Sequence, residues 1–270
     1  MTKGTTKNKG QKDIFDRFYT KEEVAKKCIS FIKNIEDFNI IIEPAAGRGS
    51  FSSNINNCLA FDIEPKAPNI IKADWFSIDK NKFLKPNNKI LIVGNPPFGQ
   101  QNSIAIKFFN ESSKIADTIA FILPKSFKKD SIKNRLNLNF HLIFEKELEE
   151  KSFEFQNKEV SIPCIFQIWK KQNTPRTKVR LKTTTKYFDF VDDKTKADFR
   201  IQRVGGNAGK ASFDLNRAKS SNYFIKNNSN LNNEDFINLI NSLTFPSIEN
   251  TVGPKSLSKG ELIAIIEENI

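Results

Sequence analysis

Short apolar runs alternate with polar, helix-like or turn-rich segments between Phe38 and Trp169. This alternation is typical of a parallel sheet whose faces are covered by helices. The first five runs are almost continuously apolar, as strands buried on both faces should be. The pattern predicts seven strands: Phe38–Glu43, Cys58–Asp62, Ile70–Lys72, Ile90–Val93, Thr118–Leu123, His141–Phe144 and Cys164–Trp169.

The connections between these strands indicate their directions. Asn102–Ile115 is predicted to be a crossover helix, because Ile104, Ala105, Phe108 and Phe109 recur in it at helical spacing. The last two strands are joined by a charged connection without a long helix, so we expect them to pair antiparallel. The chain is therefore predicted to form an α/β fold, a seven-stranded and mostly parallel sheet with an antiparallel last strand.

The composition changes beyond Trp169. Lys170–Lys226 holds fifteen Lys or Arg and five Asp, so ten of the twelve net positive charges of the chain lie in this segment. We predict a catalytic domain over residues 13–172, a boundary near Lys171–Thr174, and a small basic α+β region over 173–270. Its predicted elements are strands Val179–Leu181, Tyr187–Val191 and Phe199–Val204, a turn at Gly205–Gly209, a helix Glu234–Leu243 and a last helix opened by a capping box, Ser258 with Glu261.

The net charge of +12 favours a polyanionic partner, with nucleic acid ahead of an anionic membrane surface. No apolar run is long enough to span a bilayer. Met1–Lys12 is polar and Lys-rich and lacks the apolar stretch of a secretory signal, so we expect a disordered basic arm on an intracellular protein, cytoplasmic or nucleoid/nuclear and not secreted. Cys28, Cys58 and Cys164 show neither disulfide nor zinc spacing, and no metal is expected.

The first candidate site lies where Ile40–Phe51 passes from a strand into small residues and glycine. The strand ends in Glu43, and Asp62 ends the next predicted strand 19 positions later. Open α/β folds place there the carboxylate that accepts hydrogen bonds from ribose hydroxyls. This spacing favours an adenosine-containing cofactor, while a solvated acid at a strand end is the alternative interpretation.

The second candidate site is the tetrad Asn95-Pro96-Pro97-Phe98, which follows a buried strand. A stiff turn is the alternative interpretation, because proline fixes its own backbone and restricts the preceding residue. An aromatic amine is a poor nucleophile, and two acceptors, the Asn95 side-chain oxygen and the Pro96 carbonyl, would favour the tetrahedral nitrogen that attacks a sulfonium methyl group. Phe98 would stack on a base that is flipped out or unpaired.

With these motifs in this order, the chain resembles the S-adenosylmethionine-dependent N6-adenine methyltransferases in which a recognition region comes last. The resemblance covers about Phe18–Trp169 and implies a Rossmann-like class I methyltransferase fold with S-adenosylmethionine as the cofactor. Lys21 departs from the family, which usually has proline there. The resemblance implies cofactor contacts for Thr20, Glu43, Ala45, Gly47, Asp62, Ile63, Asp74, Trp75 and Asn95, and catalytic roles for Asn95, Pro96, Pro97, Phe98 and Phe155.

Two further predictions concern the substrate. Phe155–Ser161 resembles the family's loop whose leading aromatic residue stacks on the opposite face of the base, with Phe153 as the second choice and a core position as the alternative. Arg200, Arg203 and Lys210 surround a basic glycine turn that we expect to contact nucleic acid, unless it is only a structural hairpin turn. The stretch Val204–Ala211 lacks the first glycine and the final Ser or Thr of a phosphate-binding P-loop.

The residues leave several substrates open. DNA adenine is favoured, which makes DNA the expected partner ahead of RNA. RNA adenine is the first alternative, because the same residues would act on an unpaired base. A protein glutamine N5-methyltransferase and a non-catalytic nucleic-acid-binding protein are the others.

Overall fold

The computed structural model describes residues 18–270, so the predicted arm Met1–Lys12 and residues 13–17 lie outside the described residues. The described chain divides into two compact units, residues 18–123 with 139–174 and residues 124–138 with 175–270. The second unit therefore includes Pro124–Leu138, which the sequence analysis assigned to the catalytic domain.

The first unit is built on strands with two helices. It contains β1 (Tyr19–Thr20), α1 (Glu22–Ser30), β2 (Ile40–Glu43), β3 (Cys58–Asp62), β4 (Ile71–Lys72), β5 (Ile90–Gly94), α2 (Ser103–Ser112), β6 (Thr118–Pro124), β7 (Phe140–Glu147), β8 (Phe153–Phe155), β9 (Lys158–Val160) and β10 (Cys164–Lys171).

Seven of these strands form one sheet in the order β4-β3-β2-β5-β6-β10-β7. The pairs β4–β3, β3–β2, β2–β5 and β5–β6 are parallel, and β10–β7 is antiparallel. Every residue of β5 and β6 is buried, which explains why their sequences are almost continuously apolar. The predicted Rossmann-like fold, with seven mostly parallel strands and an antiparallel last strand, is confirmed.

Parallel register brings the carboxyl ends of three strands to one edge of this sheet. Glu43 pairs with Ala60, and Ile42 pairs with Ile92, so β2, β3 and β5 end side by side. The predicted crossover helix is present as α2. The loops that follow β2, β3 and β5 therefore converge at this edge, where open α/β sheets bind ligands.

A separate three-stranded sheet, β1-β8-β9, lies within the first unit. Thr20 pairs with Phe153, and Phe155 pairs with Lys158 across a two-residue turn. Both turn residues, Gln156 and Asn157, have positive φ (49° and 59°), as a tight hairpin turn requires. Phe155–Ser161, which resembles a loop of the family, thus lies largely in the hairpin that β8 and β9 form.

The second unit is a four-stranded antiparallel sheet, in the order β11-β14-β12-β13, that packs with helices. Its elements are α3 (Asp130–Lys133), β11 (Phe188–Val191), β12 (Phe199–Gln202), β13 (Ala211–Ser212), β14 (Asn222–Asn227), α4 (Asn233–Ser242) and α5 (Lys259–Asn269). The core of this unit is apolar and includes Phe188, Phe199, Ile225, Phe236 and Leu262.

One prediction for this unit was wrong, and another is confirmed in part. Val179–Leu181 is not a strand, because the Asn134 side chain takes the place of a partner strand: its Oδ1 accepts from the Val179 N–H at 3.0 Å, and its Nδ2 donates to the Val179 carbonyl at 2.8 Å. The predicted capping box is half formed. Ser258 accepts from the Glu261 N–H at 3.2 Å, while the Glu261 carboxylate accepts from the Ser247 N–H at 2.8 Å.

Candidate active site

A cavity of about 310 Å³ opens at the edge of the sheet where β2, β3 and β5 end. Its wall includes all but one of the residues to which the sequence assigned catalytic or cofactor roles. These are Thr20, Glu43, Ala45, Gly47, Asp62, Ile63, Asp74, Trp75, Asn95, Pro96, Pro97 and Phe98. Phe155 is not part of the wall.

Asp62 closes the loop that follows β2. Its Oδ2 accepts from the Gly47 N–H and its Oδ1 accepts from the Glu64 N–H, both at 2.7 Å. A carboxylate offers about four lone-pair sites, so two remain for hydroxyl groups in the cavity. Gly47 has φ 55°, and a Cβ there would lie 3.0 Å from Cε1 of Tyr19. The loop therefore needs glycine to lie this close to β1.

Glu43 is a buried carboxyl in the cavity wall, 2% exposed. Its Oε2 accepts from the Ser52 N–H at 2.8 Å. Burial raises the pKa of Glu43 to about 7, the nearby charge of Asp62 adds to the rise, and the hydrogen bonds from Ser52 oppose it. On the adjacent strand β5, a Cβ on Gly94 would lie 3.2 Å from Glu43 Cγ, so the position beside this carboxyl favours glycine.

Asn95 is oriented by two acceptors from the start of the described chain. Its Nδ2 donates to the Phe18 carbonyl and to Thr20 Oγ1, each at 3.1 Å. Because a carbonyl can only accept, the nitrogen must face Phe18, and the oxygen faces the other way. Asn95 Oδ1 is buried and has no hydrogen-bond partner in the described part of the chain. An acceptor of this kind is costly unless a ligand donor meets it.

The rest of the tetrad is fixed to the following helix. The Phe98 carbonyl accepts from the N–H groups of Ile104 and Ala105, at 3.2 Å each, at the start of α2. Phe98 itself is 9% exposed and lies in the cavity wall. Gly99 has φ 68°, and a Cβ there would lie 2.4 Å from Ile104 Cγ1. The tetrad is therefore held at both ends, at Asn95 by Phe18 and Thr20 and at Phe98 by the start of α2.

The aromatic residues near Asn95 differ from the sequence prediction. Phe18 lies in the cavity wall, and Phe155 packs behind it with ring centroids 5.6 Å apart. Phe153, the second choice, is fully buried in β8, and this excludes a stacking role for it. A stacking role for Phe18 was not predicted, although this residue begins the segment Phe18–Val24 that resembles the family's N-terminal cofactor segment, and that position was the available signal.

Asp74 and Trp75 also line the cavity. Asp74 Oδ1 accepts from the Phe76 N–H at 2.9 Å, which stabilises the turn after β4. Trp75 is buried, and its Nε1 has no partner among the described residues. The buried Lys80 holds this tryptophan: its Nζ donates to the Trp75 carbonyl at 2.6 Å and lies 4.6 Å from the ring centroid. Sequence reasoning missed Lys80, because nothing distinguishes it from the other lysines of the chain.

Two contacts join the hairpin β8–β9 to the cavity wall. The Arg48 guanidinium donates to Glu154 at 2.8 Å and lies 4.3 Å from the ring centroid of Tyr19. The Lys21 N–H donates to the Ser152 carbonyl at 3.2 Å, a bond that proline could not make. The departure from the family at position 21 therefore has a physical basis, and Lys21 also forms an ion pair with Glu159.

The residues present fit S-adenosylmethionine. Asp62 retains acceptor sites for ribose hydroxyls, and the Trp75 Nε1 is a buried donor without a partner. The loop after β2 lines the cavity with the small residues Ala45 and Gly47. The volume of about 310 Å³ falls at the lower end of the range for small-molecule pockets.

The three basic residues that were predicted to contact nucleic acid lie in the second unit and differ in their contacts. Arg203 Nη1 donates to the Ser220 carbonyl at 3.3 Å, and its guanidinium lies 5.3 Å from the ring centroid of Tyr223. Lys210 Nζ donates to the Asn241 carbonyl at 2.8 Å. Arg200 alone of the three lines a hollow on this unit.

Within residues 18–270, no three His, Cys, Asp or Glu side chains are grouped as a metal site would require. The helices in the same range are all too short or too polar to cross a bilayer.

Comparisons with known proteins indicate relatives for a little under half of the chain. No protein-family model matches. Ribosomal RNA small subunit methyltransferase A of Francisella tularensis subsp. novicida is 26% identical over 137 residues, which cover 44% of this chain and 52% of that protein. Protein ENHANCED DOWNY MILDEW 2 of Arabidopsis thaliana is 25% identical over 135 residues, 44% of this chain and 10% of that protein. The chain thus spans about half the length of the curated ribosomal RNA methyltransferases it matches.

Solved structures are similar over a comparable share. The 23S rRNA methyltransferase ErmE aligns with 58% of this chain and 71% of its own, with 13% identity and a TM-score of 0.39. A protein of Pyrococcus horikoshii described as a candidate RNA methyltransferase aligns with 60% of this chain and 90% of its own, with 14% identity and a TM-score of 0.45.

Proposed function

We propose that this protein transfers a methyl group from S-adenosylmethionine to the N6 amino group of adenine in nucleic acid, with RNA favoured over DNA. The observation that carries this proposal is the buried Asn95 Oδ1, which lacks a partner while its Nδ2 is held by Phe18 and Thr20. The similarity to ribosomal RNA methyltransferases supports both a methyltransferase and S-adenosylmethionine as its cofactor.

Four positions would hold the cofactor. Asp62 would accept from the ribose hydroxyls, and Ile63, which is 57% exposed, would cover the adenine ring. Asp74 and the Trp75 Nε1 offer an acceptor and a donor to polar edges of the ligand. S-adenosylmethionine, when bound, supplies an electrophilic methyl group on a sulfonium centre.

The tetrad would prepare the target nitrogen. Asn95 Oδ1 and the Pro96 carbonyl accept from the two amino hydrogens and favour a tetrahedral nitrogen with its lone pair available. Because Phe18 and Thr20 fix the Asn95 amide, this acceptor needs no reorientation during the reaction. An amide oxygen is too weak a base to keep a proton, so the proton lost from nitrogen passes to water.

Aromatic surfaces would hold the base outside its stack. Phe98 and Phe18 both line the cavity, and Phe155 packs against the Phe18 ring. An adenine that enters this site must be unpaired or flipped out. In place of the Phe155 sandwich expected from the family, we assign the second stacking surface to Phe18, with Phe155 as its support.

The relatives change the expected substrate. The sequence favoured DNA, whereas the curated matches at 25–26% identity include ribosomal RNA methyltransferases. Unpaired adenines are also common in folded RNA, where they need no duplex to be opened. We therefore place RNA first and DNA second.

The proposal is tested by transfer of radiolabelled methyl groups to matched panels of total RNA, single-stranded DNA, double-stranded DNA and a protein extract. We expect label in RNA above both DNA panels. Stronger labelling of DNA would reverse the substrate preference. Label confined to glutamine of the protein panel would contradict nucleic-acid methylation, as would no label in any panel from a protein that binds the cofactor.

A further inference from the structure

A polar hollow on the second unit holds two arginines and no carboxylate in its wall. It is lined by Arg200, Gln202, Asn207, Arg217, Ala218, Ser221 and Asn222. All of these except Ala218 carry a charged or polar side chain. A concave surface with cationic and amide donors is suited to a phosphate oxygen.

Arg200 is held in one orientation at this hollow. Its Nε donates to the Asp214 carbonyl at 2.7 Å, and its Nη1 donates to Asn222 Oδ1 at 2.9 Å. Asn222 is 5% exposed and is itself fixed by a bond from its Nδ2 to the Ala218 carbonyl at 2.8 Å. These bonds leave Nη2 of Arg200 available, with little conformational entropy left to lose on binding.

Arg217 contributes a second set of donors. Its Nε donates to Asp214 Oδ2 at 2.7 Å, while its terminal nitrogens have no hydrogen bond within the described chain. The side chain is 60% exposed. Asp214 thus orients both arginines, one through its carbonyl and one through its carboxylate, and a single acidic charge balances two basic ones.

An exposed aromatic residue precedes Asp214, the residue that orients both arginines. Phe213, the residue before Asp214, is 56% exposed, which is unusual for phenylalanine. Single-stranded nucleic acid is bound by positively charged grooves combined with aromatic rings on which bases stack. Two oriented arginines and an exposed ring on the residue before their shared partner Asp214 would supply both parts, and an unpaired strand presents both phosphates and free base faces.

We propose that Phe213, Arg200 and Arg217 form a binding site for an unpaired segment of the nucleic-acid substrate, with phosphate at the arginines and a base on the phenylalanine. This inference rests on the proposed function and specifies which part of the basic region binds the strand. Arg203 and Lys210 have no part in it, because neither lines this hollow.

The test uses the full chain and a labelled oligouridine of about twelve nucleotides, a length within the range of single-strand sites. Oligouridine has no adenine, so its binding does not depend on the catalytic cavity. Fluorescence anisotropy over a salt series would compare the wild type with Phe213→Ala, Arg217→Gln and Arg200→Gln/Arg217→Gln. The matched control is Lys178→Gln/Lys196→Gln, which removes the same charge from two exposed lysines of the same unit.

We expect Phe213→Ala and the double arginine variant each to weaken binding about tenfold. The double arginine variant should also reduce the slope of log affinity against log salt by about 1.4. Affinities and salt slopes equal to those of the lysine control would overturn the inference. If the double variant fails to fold, the exposed Phe213→Ala and Arg217→Gln changes decide the outcome in the same way.

The two proposals can fail separately. A wild type that binds oligouridine through this site and methylates no adenine would refute the proposed function and leave the binding site intact. Methylation of adenine by a wild type whose oligouridine binding is insensitive to Phe213, Arg200 and Arg217 would refute the site alone.

Discussion

The Asn95 Nδ2 donates to the Phe18 carbonyl at 3.1 Å, and this single bond decides which way the Asn95 amide faces. Residues 77 positions apart in the sequence are thereby joined. The consequence is a buried Oδ1 with no partner in the described chain. In the proposed reaction, that oxygen meets an amino hydrogen of the target base.

Removing the Thr20 hydroxyl should slow methyl transfer without abolishing it. Thr20→Val keeps the side-chain shape and removes one of the two acceptors that hold Asn95. We expect kcat to fall about tenfold, corresponding to one hydrogen bond of about 1.4 kcal/mol. Steady-state kinetics on the preferred substrate would measure it. Thr20→Ser restores the hydroxyl, so a Ser variant as slow as the Val variant would contradict this role.

Replacing Asp62 should weaken cofactor binding and loosen the loop after β2. Asp62→Ala removes the acceptor of two backbone N–H groups and of the proposed ribose hydroxyls. We expect the Kd for S-adenosylmethionine to rise by roughly 10- to 100-fold, since hydrogen bonds to a charged group contribute about 1.5–3 kcal/mol. Calorimetric titration would measure it. Asp79→Ala removes a carboxylate cap outside the cavity and should leave the Kd unchanged.

Glu43 should make stability depend on pH. Its folded pKa, about 7, lies above the unfolded value of 4.5, so the folded state binds the proton more tightly. The resulting stabilisation is complete below pH 4.5 and is lost as pH rises to about 7, a change of about 3 kcal/mol in the free energy of unfolding.

Urea unfolding of the wild type and Glu43→Gln at several pH values would isolate this contribution, because glutamine cannot titrate. We expect the wild type to lose about 3 kcal/mol relative to Glu43→Gln between pH 4.5 and 8. Parallel pH profiles for the two proteins would show that Glu43 does not titrate as its burial requires.

The central sheet could be predicted because burial on both faces leaves a strong local pattern. Ile90–Val93 and Thr118–Leu123 are almost continuously apolar, and the structure places them in adjacent strands. Polar strands could not be recognised in this way. Asn222–Asn227 was missed, because its ends are polar and only part of it is buried.

Side-chain partners that are distant in sequence account for the other differences. The Asn134 side chain bonds to the backbone of Val179, 45 positions away, and no local sequence pattern predicts that contact. Phe18 was not recognised as a cavity residue. Its contact with Phe155 depends on the pairing of β1 with β8, two strands that are far apart in the sequence. The cavity residues on the main sheet followed from their motifs because parallel strands end at a common edge.

The most direct test of the central claim is nucleoside mass spectrometry of RNA incubated with S-adenosylmethionine and either the wild type or Asn95→Ala, with cofactor affinity measured on the same samples. Asn56→Ala, an exposed asparagine outside the cavity wall, is the control. We expect N6-methyladenine from the wild type and the control, and a rate lower by about 10²–10³ for Asn95→Ala with cofactor affinity nearly unchanged. N6-methyladenine formed at the wild-type rate by Asn95→Ala, or a methyl group on another atom, would contradict the account.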